Sequence, residues 1–329
     1  MSGWKSLKKT YYMCRRLKEQ RGGAAILYLI DAVYCAYKHG ASPENYFVLR
    51  FYADNRRTRG EFLTSGRSKE CDRALNAKAT AADKRALAQK SEFNKAFAEF
   101  ITRESIYAPE CGYGEFAQFL SRHEEFILKP NCGTMGGGIE RLRVTQLASQ
   151  EALYRSCREH KLLLEAIIPQ HPALCAINAA CVNSVRINAA RTRDGRVALI
   201  GACLKCGRGG ACTDNFHSGG IAYPLDLSTG RISGAGRSNT EICDYTVHPG
   251  AGVYMPGYQL PHWEAVMQCV KRAMDIVPSV GYAGWDVAIT PQGAELIEGN
   301  FNWPGGNIIQ FDNIGKYTLL KECVGEADE

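Results

Sequence analysis

No apolar run in the 329 residues is long enough to cross a bilayer as a helix. Internal repeats and low-complexity segments are absent too, which sets aside repeat architectures. The phosphate-binding pattern ending in Gly-Lys-Ser/Thr is missing, and no glycine cluster has dinucleotide-binding spacing. No basic patch is interleaved with aromatics, so no nucleic-acid partner is expected. The fourteen cysteines are scattered through a chain that is not small, without the spacing of a disulfide framework. They read as free thiols in a reducing cytosol, and the expected location is cytoplasmic. Cys203 and Cys206 form a CxxC with Cys212 nearby, but no second ligand pair completes a zinc site.

Charge is present, and it is local. The formal net charge is +6. Residues 1–21 hold seven basic residues (Lys5, Lys8, Lys9, Arg15, Arg16, Lys18, Arg21) against Glu19 alone, so the rest of the chain is neutral. This segment reads first as a solvated helix face. It also offers peripheral contact with an anionic membrane or a polyanionic substrate. The next stretch, "AAILYLIDAVYCAYKHG", mimics a signal peptide. Asp31 interrupts it and no small-residue cleavage site follows convincingly, so it is expected as a buried helix ending near Gly40.

Residues 1–105 read as mainly helical. "TAADKRALAQKSEFNKAFAEFITRES" places Phe93, Phe97, Phe100 and Ile101 on one side of a helix. After about 106 the texture changes. "EEFILKP", a glycine cluster and "IERLRV" read as strand, loop, strand. "SQEALYRSCREHK" is a helix, and "LLLEAII" is a buried strand ended by Pro169. "VNSVRINAAR", "RVALIGACLK", "YAGWDVAIT" and "AELIEGN" are strands, and "PHWEAVMQCVKRAMDIV" is an amphipathic helix. The fold class is α+β, with helices first and antiparallel sheet later.

Gly133, Gly136, Gly137 and Gly138 allow positive φ and close approach of backbone N–H groups to an anion. Lys129 lies four residues before the first of them, within reach of a phosphate under the loop. A glycine-rich hairpin turn accounts for the same cluster equally well.

"GWDVAITPQGAELIEGN" is more specific. Pro291-Gln292-Gly293 suits a three-residue hairpin loop with Gly293 at positive φ. If Thr290 faces Ala294, Asp286 faces Glu298, and Asn300 shares their side. Trp285, Val287, Ile289 and Ile297 then point into a core. Opposed carboxylates repel unless one is protonated or a cation lies between them. Two carboxylates and an amide oxygen form a hard donor set suited to Mg²⁺.

In order, "NKAF", "LKPNCGTMGGGI", "LLLEAIIPQHP", "VNSVRI", "TDNFHSGGI", "GWDVAI" and "LIEGN" resemble the ATP-grasp superfamily over most of residues 90–302. "HGASPENYFVLRFY", "VNSVRI", "DNFHSGGI" and "GWDVAI…LIEGN" are most similar to the sugar-transfer-associated ATP-grasp family. The resemblance implies two α+β subdomains gripping ATP, at 106–168 and 169–329, behind a helical region at 1–105. It implies that Lys95 and Lys129 hold the α- and β-phosphates and that Gly133–Gly138 close over them. Glu165 to Ile168 would line the adenine site, with backbone groups of Ala166 and Ile168 reading the base. Asp286, Glu298 and Asn300 would bind Mg²⁺, and Arg186 would reach the transferred phosphate or acyl oxygen. Lys205 stands where an arginine is expected in many relatives; lysine is a point charge rather than a bidentate fork.

The chemistry implied is an ADP-forming carboxylate–amine ligation through an acyl phosphate. Its substrates would be small or glycan-linked acids and amines, in envelope, exopolysaccharide or specialised-metabolite synthesis. His217 is the candidate base, with His171 and His262 as alternatives. Asp214 and Asn215 cap a turn or orient substrate, and Trp285 and Trp303 pack. A kinase acting on a hydroxyl or sugar, or a nucleotide-binding scaffold, would use the same fold.

Overall fold

The computed structural model describes residues 2–133, 137–302 and 304–325. The first hundred residues form α1 (Ser2–Arg21), α2 (Ala25–His39), α3 (Pro43–Val48), α4 (Ser65–Leu75), α5 (Ala81–Ala88) and α6 (Lys90–Ala96). Then come β1 (Ser105–Tyr107), α7 (Tyr113–Arg122), β2 (Glu125–Pro130), β3 (Glu140–Arg143), α8 (Gln150–Glu159) and β4 (Leu162–Ala166). The remainder contains α9 (Pro172–Cys175), β5 (Val185–Arg191), β6 (Val197–Cys206), β7 (Ile221–Leu225), α10 (Trp263–Ile276), β8 (Tyr282–Thr290), β9 (Gly293–Asn300) and α11 (Tyr317–Val324).

Two antiparallel sheets result. The smaller has the order β1-β4-β2-β3. Phe116, Phe119 and Leu120, at helical spacing on α7, and Cys157 on α8 cover it by packing on Phe126, Leu128 and Leu164. The larger has the order β7-β6-β5-β8-β9. Alternation decides its two sides. Val185, Ile187, Trp285, Val287 and Ile289 pack on Val266, Val270 and Met274 of α10 and on Phe93 and Phe97. The Phe97 ring meets Trp285 edge-on, with centroids 5.4 Å apart. On the other side Ala190, Cys203 and Tyr282 join Cys14, Leu17, Cys35, Tyr46 and Phe47 of the first helices. The N-terminal helices therefore line both faces of the larger sheet. An antiparallel sheet commonly leaves one face in water; this one does not.

Three expectations change. The helix read through residues 80–105 breaks at Gln89, whose backbone is extended. Asn131 causes the break: its carbonyl and side-chain oxygens accept from the Lys90 and Ser91 N–H groups. Helix α2 ends at Gly40 as expected, at φ 61°, but only Ala25, Ala32 and Cys35 on it are buried. In the hairpin, Thr290 pairs with Gly293 and Val287 with Leu296, so the loop has two residues rather than three. Gly293 does have positive φ, at 138°. Leu296 therefore takes the core position expected of Ile297. The register shifts at the next step, and Asp286 still pairs with Glu298.

All fourteen cysteines are free. Cys203 and Cys206, three apart on β6, join clusters on opposite sides of the sheet, which rules them out as a joint metal clamp. Trp303 lies outside the described residues.

Candidate active site

The β8–β9 bulge builds the first half of the site. Residues on one side of a strand normally sit two apart. Glu295 pairs with Ala288, Glu298 with Asp286 and Asn300 with Gly284, so all three share one side despite the three-residue step between the glutamates. Ile297 is the extra residue that makes this possible. Asn300 Nδ2 donates to Glu298 Oε1 at 3.2 Å.

Asp286 does not face Glu298 uncompensated. Arg186, its register partner on β5, grips it with Nε to Oδ1 at 2.7 Å and Nη2 to Oδ2 at 2.8 Å. Lys205 Nζ on β6 lies 3.1 Å from Oδ2. The cation that removes the expected repulsion is thus supplied twice by the protein. Burial would raise the Asp286 carboxyl, but Arg186 and Lys205 outweigh it and hold it well below the usual range. Burial opposes the Lys205 ammonium, and Asp214, 3.7 Å away, with Asp286 reverses the sign, leaving Lys205 raised. Asp214 is itself fixed by the Ser184 N–H at 2.9 Å. Arg186 was expected to reach a phosphate; each of its three nitrogens already donates, the third to the Pro304 carbonyl at 2.9 Å. Gly305, at φ 78°, must stay a glycine, because a Cβ would lie 2.7 Å from Arg186 Nη1.

The second half lies on the smaller sheet. Lys129 Nζ on β2 is 2.6 Å from Glu165 Oε2 on β4. Glu165 also accepts from Asn94 Nδ2 at 2.9 Å and Arg103 Nη2 at 3.2 Å. Burial is the largest influence on Lys129 and lowers it; Glu165 offsets only part, and Arg103 adds to the lowering. Glu165 is pulled far below an ordinary glutamate, since Arg103 and Lys129 together overcome its burial. So Glu165 does not present a free carboxylate to a base: it anchors Lys129. Arg103 continues across to the larger sheet, donating to Glu295 Oε1 at 2.8 Å and to the Leu296 carbonyl at 2.7 Å. The backbone N–H of Ala166 is used by the Glu104 carbonyl. Among the described residues nothing engages the Ile168 N–H.

Of the glycine cluster, Gly133 and Gly138 have positive φ, 141° and 74°. Gly137 is exposed in a turn, and Gly136 lies outside the described residues. Lys95, on α6, is engaged by acids. It is exposed and paired with Glu92 at 3.1 Å and Glu110 at 2.8 Å. Lys90 is the lysine that meets the loop, donating to the Gly133 carbonyl at 3.3 Å. Its position follows from the Gln89 break, which periodicity alone does not reveal.

His217 is exposed, with Nδ1 3.8 Å from Glu44 Oε2 on α3. His171 Nδ1 accepts from the Ala173 N–H at 3.1 Å, and its ring meets His262 edge-on beside α10. Arg103, Glu295, Asn94 and Lys90 were not read from the sequence. Only the spacing of Glu295 from Glu298 held a signal, and it needs the bulge to interpret.

A pocket of about 480 Å³ opens beside Asn302, two residues beyond Asn300. Lys69, Arg73 and Lys84 line it around the buried Asp72. Burial raises the Asp72 carboxyl.

Two antiparallel sheets, each with a buried lysine–acid cluster and linked through Arg103, fit an ATP-grasp protein. A family profile described as sugar-transfer associated ATP-grasp matches residues 105–322, and the chain belongs to that family. No curated protein matches the sequence. Among solved structures, biotin carboxylase of Campylobacter jejuni with a β,γ-ATP ligand is similar at 10% identity and a TM-score of 0.50, over 76% of this chain and 49% of that one. The N5-carboxyaminoimidazole synthase of Aspergillus clavatus, with ADP and its ribonucleotide, matches at 11% and 0.46, over 77% and 55%. The ATP-grasp ligase PsnB, with Mg, ADP and a phosphomimetic precursor variant, matches at 10% and 0.45, over 75% and 61%. The chain spans about half the length of the solved structures it matches. At these identities the likeness is one of fold.

Proposed function

We propose that the chain is an ATP- and Mg²⁺-dependent carboxylate–amine ligase that proceeds through an acyl phosphate and releases ADP. The observation that carries this reading is the Glu298–Asn300 oxygen pair set against an Asp286 whose charge Arg186 and Lys205 already balance. These are hard oxygen donors, which fit Mg²⁺. Among the described residues no cluster of three His, Cys, Asp or Glu offers a competing metal site. Glu298 and Asn300 would hold the ion, with Asp286 behind them. When bound, it would neutralise phosphate charge.

The chain's own residues divide the remaining work. Lys129 and Lys90 would hold phosphates beneath the glycine segment, and the Ile168 N–H would read the adenine edge. A carboxylate is inert to amines because its leaving group would be oxide; phosphorylation converts that group to phosphate. The basic pocket beside Asn302 suits the acid substrate, with Lys69, Arg73 and Lys84 attracting its charge. His217, backed by Glu44, would take the proton from the attacking amine. The reading places the protein in the cytoplasm, in synthesis of envelope, exopolysaccharide or specialised metabolites.

The test is product analysis with a panel of amino acids and uronic acids. ADP and phosphate, formed only when both acid and amine are present, support ligation. AMP and pyrophosphate rule it out. A stable phosphorylated product formed without any amine identifies a kinase instead. Full cellular function of an Asp286→Ala variant would point to a scaffold.

A further inference from the structure

Helix α2 is apolar on two opposite sides. Ala25, Ala32 and Cys35 face the core. On the outer side Ile26, Leu27, Ile30, Val33, Tyr34 and Tyr37 are all more than half exposed, reaching 91% at Tyr37. At about 100° per residue these six fill one continuous arc with no polar residue inside it. Asp31, between the two arcs, is already used by Tyr46 and Arg59. A helix that is apolar all round is a helix with neighbours all round. The described residues supply a neighbour on one side only.

Helix α1 says what kind of neighbour fits. It packs beside α2 through Cys14 and Leu17, after a connection of three residues. Leu7, Tyr11 and Tyr12 are exposed on it, among the exposed Lys8, Lys9, Arg15 and Lys18. The exposed cations of the basic segment are therefore on the helix that packs against α2. A second copy docked there would bring two such sets of cations together and repel. An anionic bilayer takes both features at once: aliphatic groups enter the acyl boundary, tyrosines sit at the headgroups and lysines meet lipid phosphates. At about 1.5 Å per residue, the fifteen residues of α2 span about 22 Å. No described helix is long and apolar enough to cross a membrane, so the contact is one that lies on the surface.

We propose that the outer face of α2, flanked by α1, is a docking surface for anionic lipid bilayer. This placement is independent of the reaction catalysed. The experiment is co-sedimentation of the full chain with phosphatidylcholine vesicles, with and without phosphatidylglycerol. Binding to the anionic vesicles, weakened by salt, is expected. Ile30→Glu and Val33→Glu, both at exposed positions, should each lower partitioning about tenfold or more while circular dichroism and nucleotide binding stay unchanged. No binding to anionic vesicles overturns the proposal. So does equal binding by the glutamate variants, or a dimer in light scattering that Ile30→Glu converts to monomer. A protein captured through this face in the absence of any vesicle binding overturns it as well.

Discussion

Each sheet buries an acid between two cations, yet the two arrangements are wired differently. On the larger sheet, Asp286 and its partners Arg186 and Lys205 all belong to adjacent strands, so the ladder register fixes the cluster. On the smaller sheet, Glu165 has one partner from its own sheet, Lys129, and one, Arg103, that is shared with Glu295 of the other sheet. The first cluster is self-contained; the second is also the joint between the sheets. Damage to the first should therefore be felt in chemistry and local stability, and damage to the second in how the two sheets hold together.

The sharpest way to break this contrast is Asp286→Ala. It leaves Arg186 and Lys205 buried without an acid, at a cost of about 3–5 kcal/mol in urea unfolding, and ATP turnover should vanish. A variant as stable as the parent would show that something else balances those cations. Next comes Arg103→Met, at about 3 kcal/mol, since Glu165 keeps Lys129 and Asn94. Its signature is spatial: amide exchange should accelerate in β1 and β4 while β5 and β8 stay protected. Uniform acceleration would mean that Arg103 is not the joint. Lys129→Met should cost less, about 1–2 kcal/mol, because burial already disfavours its ammonium and Glu165 retains Arg103. Its main effect should be a rise of about tenfold in the KM for ATP.

A gentler probe is pH. Both Asp286 and Glu165 are depressed in the folded protein. Their stabilisation is complete above the ordinary carboxylate values, at about pH 4 and higher, and is lost as pH falls toward the folded values. In an Asp286→Asn background, melting temperature should fall less steeply below pH 4 than in the parent; identical slopes would remove Asp286 from the account. Smallest of all, Lys95→Ala should change stability by no more than about 0.5 kcal/mol and leave turnover intact. Lys90→Ala should raise the KM for ATP several-fold.

These residues also mark what could be read in the chain beforehand. The strands, the long amphipathic helix and the Asp286–Glu298–Asn300 grouping were legible, because alternation and turn chemistry are local signals. Lys90 was not, because a residue 41 positions away, Asn131, breaks the helix that carries it. Arg103 was not, because its partner Glu295 is 192 positions distant and nothing in "FITRES" marks a buried charge. The stripe on α2 was misjudged for a related reason. Apolar residues announce that they need covering, but the sequence does not say by what. The Asp286–Glu298 pair came out as expected although the loop was one residue too long in the reading, since the error and the bulge cancel.

That cancellation shows what Ile297 is for. A strand has a reading frame of two, and this one is read in two frames. From Gly293 to Leu296 it is in phase with Val287; from Glu298 onward it is in phase with Trp285 and Asp286. Were Ile297 paired in the ladder instead of looped out, every later residue would slip one step, carrying Glu298 opposite Trp285, where Gly299 now leaves no room for a Cβ. Here the looping-out of one half-buried isoleucine, with no chemistry of its own, decides whether Glu298 and Asn300 are spelled into the site or into the core.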